Sequence, residues 1–356
     1  MFIVDAHLDI AYNVYNNGRN PRLPLTTIRA SEKKPGAGGI ATVSFPELQK
    51  GGVGLVFGTA FVAPAHLKIP ILDEKISYHD SQEAHQLAMQ QLDYYHRLHD
   101  ESELIRLVGD IAALDEVIAS HQLEQDKHMI GIVPLMEGAD PIREPEEAEY
   151  WWERGLRLIG LAWDDTRYAS GAWRGAAHGL TKDGHHLLEV MAEYGFILDL
   201  THMSEKATLE ALDRYEGIVV ATHSNARALV NDSQRHLSDV QIRRLGEHGG
   251  VMGIVLSNSF LKADYHKGDH KELVTLEHVV AHIDHMCQLL GTAEHVGIGS
   301  DLDGGFGAAD IPAEMDSVAD LGKIATALKE RGYETADIHK IMGQNWLNLL
   351  RRAWST

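Results

Sequence analysis

Histidine and carboxylate residues recur directly after short apolar runs of the chain, where they could assemble a reaction centre. The first run ends in His7-Leu8-Asp9, and later runs end in Glu137, His202, His223 and Asp301. Residues two apart in a strand point to the same side, so His7 and Asp9 can converge on one ion. Imidazole and carboxylate groups suit a zinc-type divalent metal. These histidine and carboxylate side chains are more than one tetrahedral zinc needs. Their number favours two ions that share a carboxylate, about 3.5 to 4 Å apart.

The chain has 22 histidines, so position must separate ligands from other histidines. His278, His282 and His285 have the spacing of one helix face and could pass for a metal site. The same segment carries an apolar stripe, and no glutamate follows His278 as a metalloprotease helix would need. We therefore predict packing or surface roles for these three residues.

Eight apolar runs alternate with longer amphipathic stretches, a pattern typical of βα units. The predicted strands are residues 2–7, 53–61, 130–136, 156–162, 196–200, 218–222, 251–256 and 296–299. The predicted helices are residues 77–99, 184–194, 204–214, 238–247, 276–290 and 317–331. We predict an α/β fold, a (β/α)8 TIM barrel with a long inserted first βα loop, as one domain over residues 1–356. A doubly wound open sheet is the alternative, but no glycine-rich dinucleotide fingerprint follows the first run.

Composition excludes several classes of partner. The formal net charge of −20 opposes binding to nucleic acid or to anionic membranes. A single cysteine, Cys287, excludes an intrachain disulfide framework and is expected to be buried. The chain shows no signal-type segment and no apolar stretch near 18 residues, so we expect a soluble, cytoplasmic protein.

The segment from Asn16 to Gly39 differs in composition, because it is basic and rich in glycine within an acidic protein. We predict a solvated loop, with a mobile lid over the barrel mouth as the alternative. We also predict that Asp303 is a turn residue that stabilises the last βα loop.

Five ordered segments of the chain resemble the membrane dipeptidase family, also called renal dipeptidase, a binuclear zinc branch of the amidohydrolase-like barrels. The segments, which spread over most of the chain, are residues 5–9, 136–138, 199–204, 221–227 and 297–304. The resemblance implies that His7 and Asp9 hold one zinc and that His202 and His223 hold the other. Glu137 would bridge both ions.

The resemblance also implies roles in catalysis and binding. A hydroxide between the zincs would attack the amide carbonyl, and Asp301 would lie beside it as the general acid and base. Arg235 falls where the family places an arginine that binds the C-terminal carboxylate of a dipeptide. A homodimer is implied as well.

Two departures from the family pattern bear on the substrate. Trp163 stands where the family usually has a histidine that contacts the substrate carbonyl, so the zincs alone, or His178 on the following loop, would polarise that carbonyl. We expect His178 to be solvated and Trp163 to line the pocket as an apolar wall. After the seventh strand, Val255-Leu256-Ser257 replaces a more polar and aromatic stretch.

The sequence thus predicts a zinc-dependent dipeptidase with a small dipeptide-like substrate. One alternative is an amidohydrolase that acts on N-acyl amino acids or cyclic amides, because fold and metals do not choose between these substrates. No lysine that could be carbamylated lies between Leu156 and Trp163, which favours a glutamate bridge. Trp163 motivates the other alternative, a metal-binding but non-hydrolytic tailoring protein.

Overall fold

Eight parallel strands form a barrel in the computed structural model, which describes residues 1–32, 38–67, 76–124, 126–173 and 178–355. The strands are β1 Ile3–Leu8, β2 Val53–Phe61, β3 Ile130–Glu137, β4 Leu158–Gly160, β5 Ile197–Asp199, β6 Val219–Val220, β7 Met252–Ile254 and β8 Val296–Ile298. They pair in the order β7-β8-β1-β2-β3-β4-β5-β6. A parallel bridge between Ala221 and Met252 joins β6 to β7 and closes the ring. The predicted (β/α)8 barrel is confirmed.

All eight predicted strands are present, although β4 to β8 are shorter than the apolar runs that predicted them. A further short strand, Ile105–Leu107, pairs in parallel with β3 from outside the ring. Ala63–Pro64 and Ser77–Tyr78 form a separate two-stranded parallel sheet.

Helices cover the outside of the barrel. Their bounds are Ile10–Asn17, Leu25–Ser31, Phe45–Gly51, Ser81–Asp100, Ile111–Ser120, Ala148–Glu153, Lys182–Tyr194, Glu205–Arg214, Asp239–Glu247, Asn258–Leu261, Leu276–Leu290, Gly322–Arg331, Thr335–His339 and Asn345–Ala353. Several of these helices have an N-terminal side-chain cap. At the helix Glu205–Arg214, for example, the Ser204 side chain accepts a hydrogen bond from the Ala207 backbone N–H. The predicted helix over 317–331 instead starts as a 3-10 turn, Val318–Asp320, before its α-helical part.

Two glycines let β7 and β8 approach the end of β6. A Cβ atom on Gly253 would lie 1.9 Å from the carbonyl oxygen of Thr222, and one on Gly299 would lie 1.7 Å from it. Both distances are impossible for a real side chain, so glycine is required at both positions. This close packing holds the segment that carries His223.

The insertion between β1 and β2 corrects the prediction of a solvated loop. Within the predicted loop, residues 16–39, lies the helix Leu25–Ser31, and Arg19 is buried rather than exposed. The Arg19 guanidinium binds Glu32 at 2.6 Å and lies 3.3 Å from Asp303. These two carboxylates supply the partners that a buried cation requires. Residues 33–37 of this segment lie outside the described residues.

Asp303 anchors the same insertion to the end of the barrel. Its carboxylate accepts hydrogen bonds from the backbone N–H and hydroxyl of Thr42 and from the backbone N–H of Val43. Both carboxylate oxygens of Asp303 therefore bind groups of the insertion. This agrees with a structural role for Asp303 rather than with metal ligation.

The predictions of packing or surface roles for the histidines of the helix Leu276–Leu290, and of burial for the cysteine, agree with the structure. His282 is buried between the Ala226 N–H and the Leu261 carbonyl, His285 pairs with Asp239 and Cys287 is buried. Among the residues that the structure describes, no helix combines the length and apolar character needed to cross a bilayer.

Candidate metal centre

Six of the eight predicted site residues line one cavity of about 280 Å³ at the C-terminal end of the barrel. They are Asp9, Glu137, Trp163, His202, Arg235 and Asp301. The other two, His7 and His223, are buried below it and contact Glu137. His178 is exposed and is not among the described residues that line the cavity.

Glu137, the last residue of β3, lies at the centre of three histidines from three strand ends. Its Oε1 atom is 2.9 Å from His202 Nε2 and 3.5 Å from His223 Nε2, and its Oε2 atom is 3.4 Å from His7 Nε2. The Nε2 atoms of His202 and His223 are 3.0 Å apart. One carboxylate thus presents an oxygen to each side of the cluster, as a bridging ligand must.

A second group of ligand atoms adjoins the first. His7 Nε2 lies 3.9 Å from Asp9 Oδ1 and 3.8 Å from Asp301 Oδ1. The potential ligand atoms of His7, Asp9 and Asp301 lie within 4.8 Å of one another, and so do those of His7, Glu137 and His223. Each group is compact enough to surround one divalent ion.

The unpaired atoms and the charges of the cluster fit metal ions. His7 Nε2 is buried, and within the described part of the chain it has no hydrogen-bond partner. Burial, with repulsion from nearby carboxylates, raises the pKa of Asp9 to about 6 and that of Asp301 well above its usual range. Although burial opposes a charge on His7, Glu137 and its neighbours raise the His7 pKa to about 10. The cluster therefore demands positive charge, which divalent cations would supply.

The other two histidines are kept uncharged by their surroundings. Burial, together with the charge of Arg235, lowers the pKa of His202 to about 4. Burial also lowers the pKa of His223 well below its usual value. Both imidazoles are therefore neutral near pH 7, as ligation requires.

The backbone at two site residues is strained. His202 has a φ of 67° and Asp301 a φ of 56°, which is the left-handed region that favours glycine. Such strain persists where the surrounding structure overdetermines it, often at functional sites. At Gly304, a Cβ atom would lie 1.9 Å from Asp301 Oδ1, so glycine leaves room for the Asp301 carboxylate.

Polar groups that sequence reasoning missed contact the predicted ligands. The Thr59 hydroxyl donates to Asp9, and the Thr222 hydroxyl lies 3.0 Å from His223 Nδ1. The Trp173 indole N–H donates to His202 Nδ1 at 3.0 Å. An indole only donates, so this contact places the His202 proton on Nε2 and competes with a metal ion there. Metal binding through Nε2 requires Trp173 to leave Nδ1.

Arg235 is a buried cation with unused donors. Its Nη1 atom donates to the His223 carbonyl at 3.0 Å and to the Ser224 hydroxyl at 3.2 Å. Its Nε and Nη2 atoms are buried and have no hydrogen-bond partner among the described residues. Burial lowers the Arg235 pKa only to about 10, so the side chain stays charged at neutral pH. A carboxylate in the cavity could accept from both free groups in the fork geometry that guanidinium groups favour.

Trp163 is half-buried and lines the cavity, where it follows β4. Its ring centroid lies 5.1 Å from that of Phe61 and 6.1 Å from that of His202. The structure thus places an apolar side chain beside the ligands. After β7, Ser257 and Phe260 also line the cavity.

Comparison with known proteins adds independent findings. A family model described as membrane dipeptidase (peptidase family M19) matches residues 1–355. The crystal structure of a metallopeptidase called dipeptidase AC is similar with a TM-score of 0.82 and 25% identity, covering 100% of this chain and 99% of that one. A Rhodobacter sphaeroides metallopeptidase, liganded with a phosphinate mimic of the dipeptide L-Ala-D-Ala, has a TM-score of 0.81, 25% identity and 99% coverage of both chains. Dipeptidase tcpJ of Claviceps purpurea is 34% identical over 203 residues, which are 55% of this chain and 44% of that protein.

Proposed function

Because the chain belongs to the membrane dipeptidase family, we propose that it hydrolyses dipeptides with the help of two zinc ions. His7 and Asp9 would hold one ion, and His202 and His223 would hold the other. Glu137 would be shared between them, since its two oxygens face different histidines. The group of His7, Asp9 and Asp301 supports the first site, and the contacts of His202 and His223 with Glu137 Oε1 support the second.

The observation that carries the proposal is the position of Arg235 in the wall of the same cavity as the ligand cluster. A dipeptide has its carboxylate one residue beyond the bond to be cleaved, so a buried arginine with two free donors can select it. The cavity of about 280 Å³ lies near the lower end of small-molecule pockets, which suits a dipeptide better than a longer chain.

Asp301 has the properties of the group that moves the proton. Zinc ions bound to this cluster would lower the pKa of a water molecule and polarise the amide carbonyl. Asp301 lies beside the cluster, 3.8 Å from His7 Nε2. Two divalent cations would favour its ionised form before the reaction, while burial raises its pKa and so helps it hold the proton that it accepts. It would accept a proton from the attacking water and return it to the nitrogen of the leaving amine as the carbon–nitrogen bond breaks.

A substrate panel tests the proposal against the two alternatives. The zinc-loaded protein should cleave L-Ala-L-Ala, and it should cleave the C-terminally amidated dipeptide and a tripeptide at least about tenfold more slowly, because neither places a carboxylate on Arg235. Faster cleavage of N-acetyl amino acids than of any dipeptide would instead support an amidohydrolase. A zinc-loaded protein that cleaves none of these amides would support a non-hydrolytic function.

A further inference from the structure

Three aromatic side chains form one side of the cavity, and the metal centre does not use them. Tyr12, Phe61 and Trp163, which we call the aromatic wall, all line the cavity. Their neighbouring ring centroids lie 5.5 Å apart for Tyr12 and Phe61 and 5.1 Å apart for Phe61 and Trp163. Ala63 and Ile76 pack with them in a small apolar cluster separate from the main core.

Phe61, the middle ring of the aromatic wall, lies across the barrel mouth from Arg235, and Tyr12 and Trp163 flank it after β1 and β4. Phe61 is the last residue of β2, and Arg235 belongs to the loop after β6. Those strands are four apart in a closed ring of eight, so their ends are opposite each other. The residues of the metal centre lie between the two sides, and the Trp163 ring is 6.1 Å from the ring of His202.

This arrangement orients a dipeptide, provided that Arg235 binds its carboxylate as in the proposed function. The C-terminal residue then lies on the β6 side, and the scissile carbonyl lies at the metal ligands. Because that carbonyl belongs to the N-terminal residue, the N-terminal side chain lies beyond the ligands. We propose that the aromatic wall binds this side chain and selects dipeptides whose N-terminal residue is aromatic or large and aliphatic.

The charges around the cavity agree with an apolar N-terminal side chain. The cations among the described lining residues, Arg235 and Lys267, lie in the loops after β6 and β7, away from the wall. An acidic N-terminal side chain would lose its hydration against the three rings without a cation on the wall to pair with, so it is disfavoured.

Two dipeptides with swapped residues, L-Phe-L-Ala and L-Ala-L-Phe, test this orientation in the zinc-loaded protein. Trp163→Leu and Phe61→Leu should each lower kcat/KM for L-Phe-L-Ala by about 5- to 50-fold, the range expected when an apolar side chain loses part of its pocket. The same variants should change kcat/KM for L-Ala-L-Phe by less than about threefold. Phe260→Leu is the matched control, because Phe260 lies 5.1 Å from the Arg235 guanidinium and should affect L-Ala-L-Phe more.

The outcomes separate this inference from the proposed function. If the wild-type protein cleaves neither dipeptide, the proposed function fails. If it cleaves both, and the wall variants lower the rates of both equally or lower mainly that of L-Ala-L-Phe, the assignment of the wall is overturned. Phe61 is buried and Trp163 is half-buried, so Trp163→Leu decides the result if thermal melting shows that Phe61→Leu is unfolded.

Discussion

Replacing Arg235 by methionine should abolish the preference for a free C-terminal carboxylate. Methionine has a similar length and fills much of the same space, but it can neither donate a hydrogen bond nor carry charge. The two guanidinium nitrogens without partners, Nε and Nη2, are the groups that a substrate would use. The third, Nη1, already contacts the His223 carbonyl and the Ser224 hydroxyl, so it mainly holds the side chain in place.

The size of the effect follows from those two free donors. A hydrogen bond to a charged group contributes about 1.5 to 3 kcal/mol, so two of them contribute roughly 3 to 6 kcal/mol. Each 1.4 kcal/mol corresponds to about tenfold, so kcat/KM for a free dipeptide should fall by roughly 10² to 10⁴. The amidated dipeptide never makes the charged pair and should lose less than about tenfold.

The assay compares kcat/KM for L-Ala-L-Ala and its C-terminal amide in the wild-type and Arg235→Met proteins, with zinc content measured in each sample. The ratio of free to amidated substrate should be large for the wild type and close to one for the variant. An equal fractional loss on both substrates, with zinc content unchanged, would refute the carboxylate role of Arg235. It would mean that this buried arginine only supports the segment around His223.

Four further substitutions test individual parts of the candidate metal centre. Glu137→Gln should deplete both zincs while His202→Ala should remove mainly one, as measured by elemental analysis; a Glu137→Gln protein with two tightly bound zincs would contradict a bridging role. Asp301→Asn should keep both zincs and lower kcat by roughly 10²- to 10⁴-fold, the usual contribution of a general acid and base, whereas loss of metal would make Asp301 a ligand. Trp173→Phe should tighten zinc binding by about 2- to 10-fold in a chelator competition, because it removes one hydrogen bond that competes with the metal for His202; weaker binding would show that Trp173 supports the ligand instead.

The convergence of the candidate ligands could be predicted because a parallel barrel imposes a simple rule. Apolar runs mark the strands, and polar residues at their C-terminal ends meet at one face of the barrel. His7, Glu137 and His202 belong to distant parts of the sequence, yet the strand order alone brings them together. The short lengths of β4 to β8 did not weaken this prediction, because only the strand ends carry ligands.

The surrounding contacts could not be predicted in the same way. Trp173 reaches His202 from a loop 29 residues earlier, and a loop has no periodicity that would indicate where its side chains point. The basic segment after β1 suggested a solvated loop, but Arg19 finds acceptors in Glu32 and Asp303 that only the folded chain brings near. The left-handed backbone conformation of His202 could not be predicted either, because nothing in the sequence at this position indicates it.

The most direct test of the two-zinc dipeptidase is a zinc titration of the metal-free protein, with L-Ala-L-Ala hydrolysis measured at each step. The rate should be negligible without metal, and it should reach its maximum at two zinc ions per chain, because the site of His7 and Asp9 and the site of His202 and His223 must both be filled. Full activity at one zinc per chain would contradict the shared carboxylate, and a protein that binds two zincs without cleaving any dipeptide would contradict the function itself.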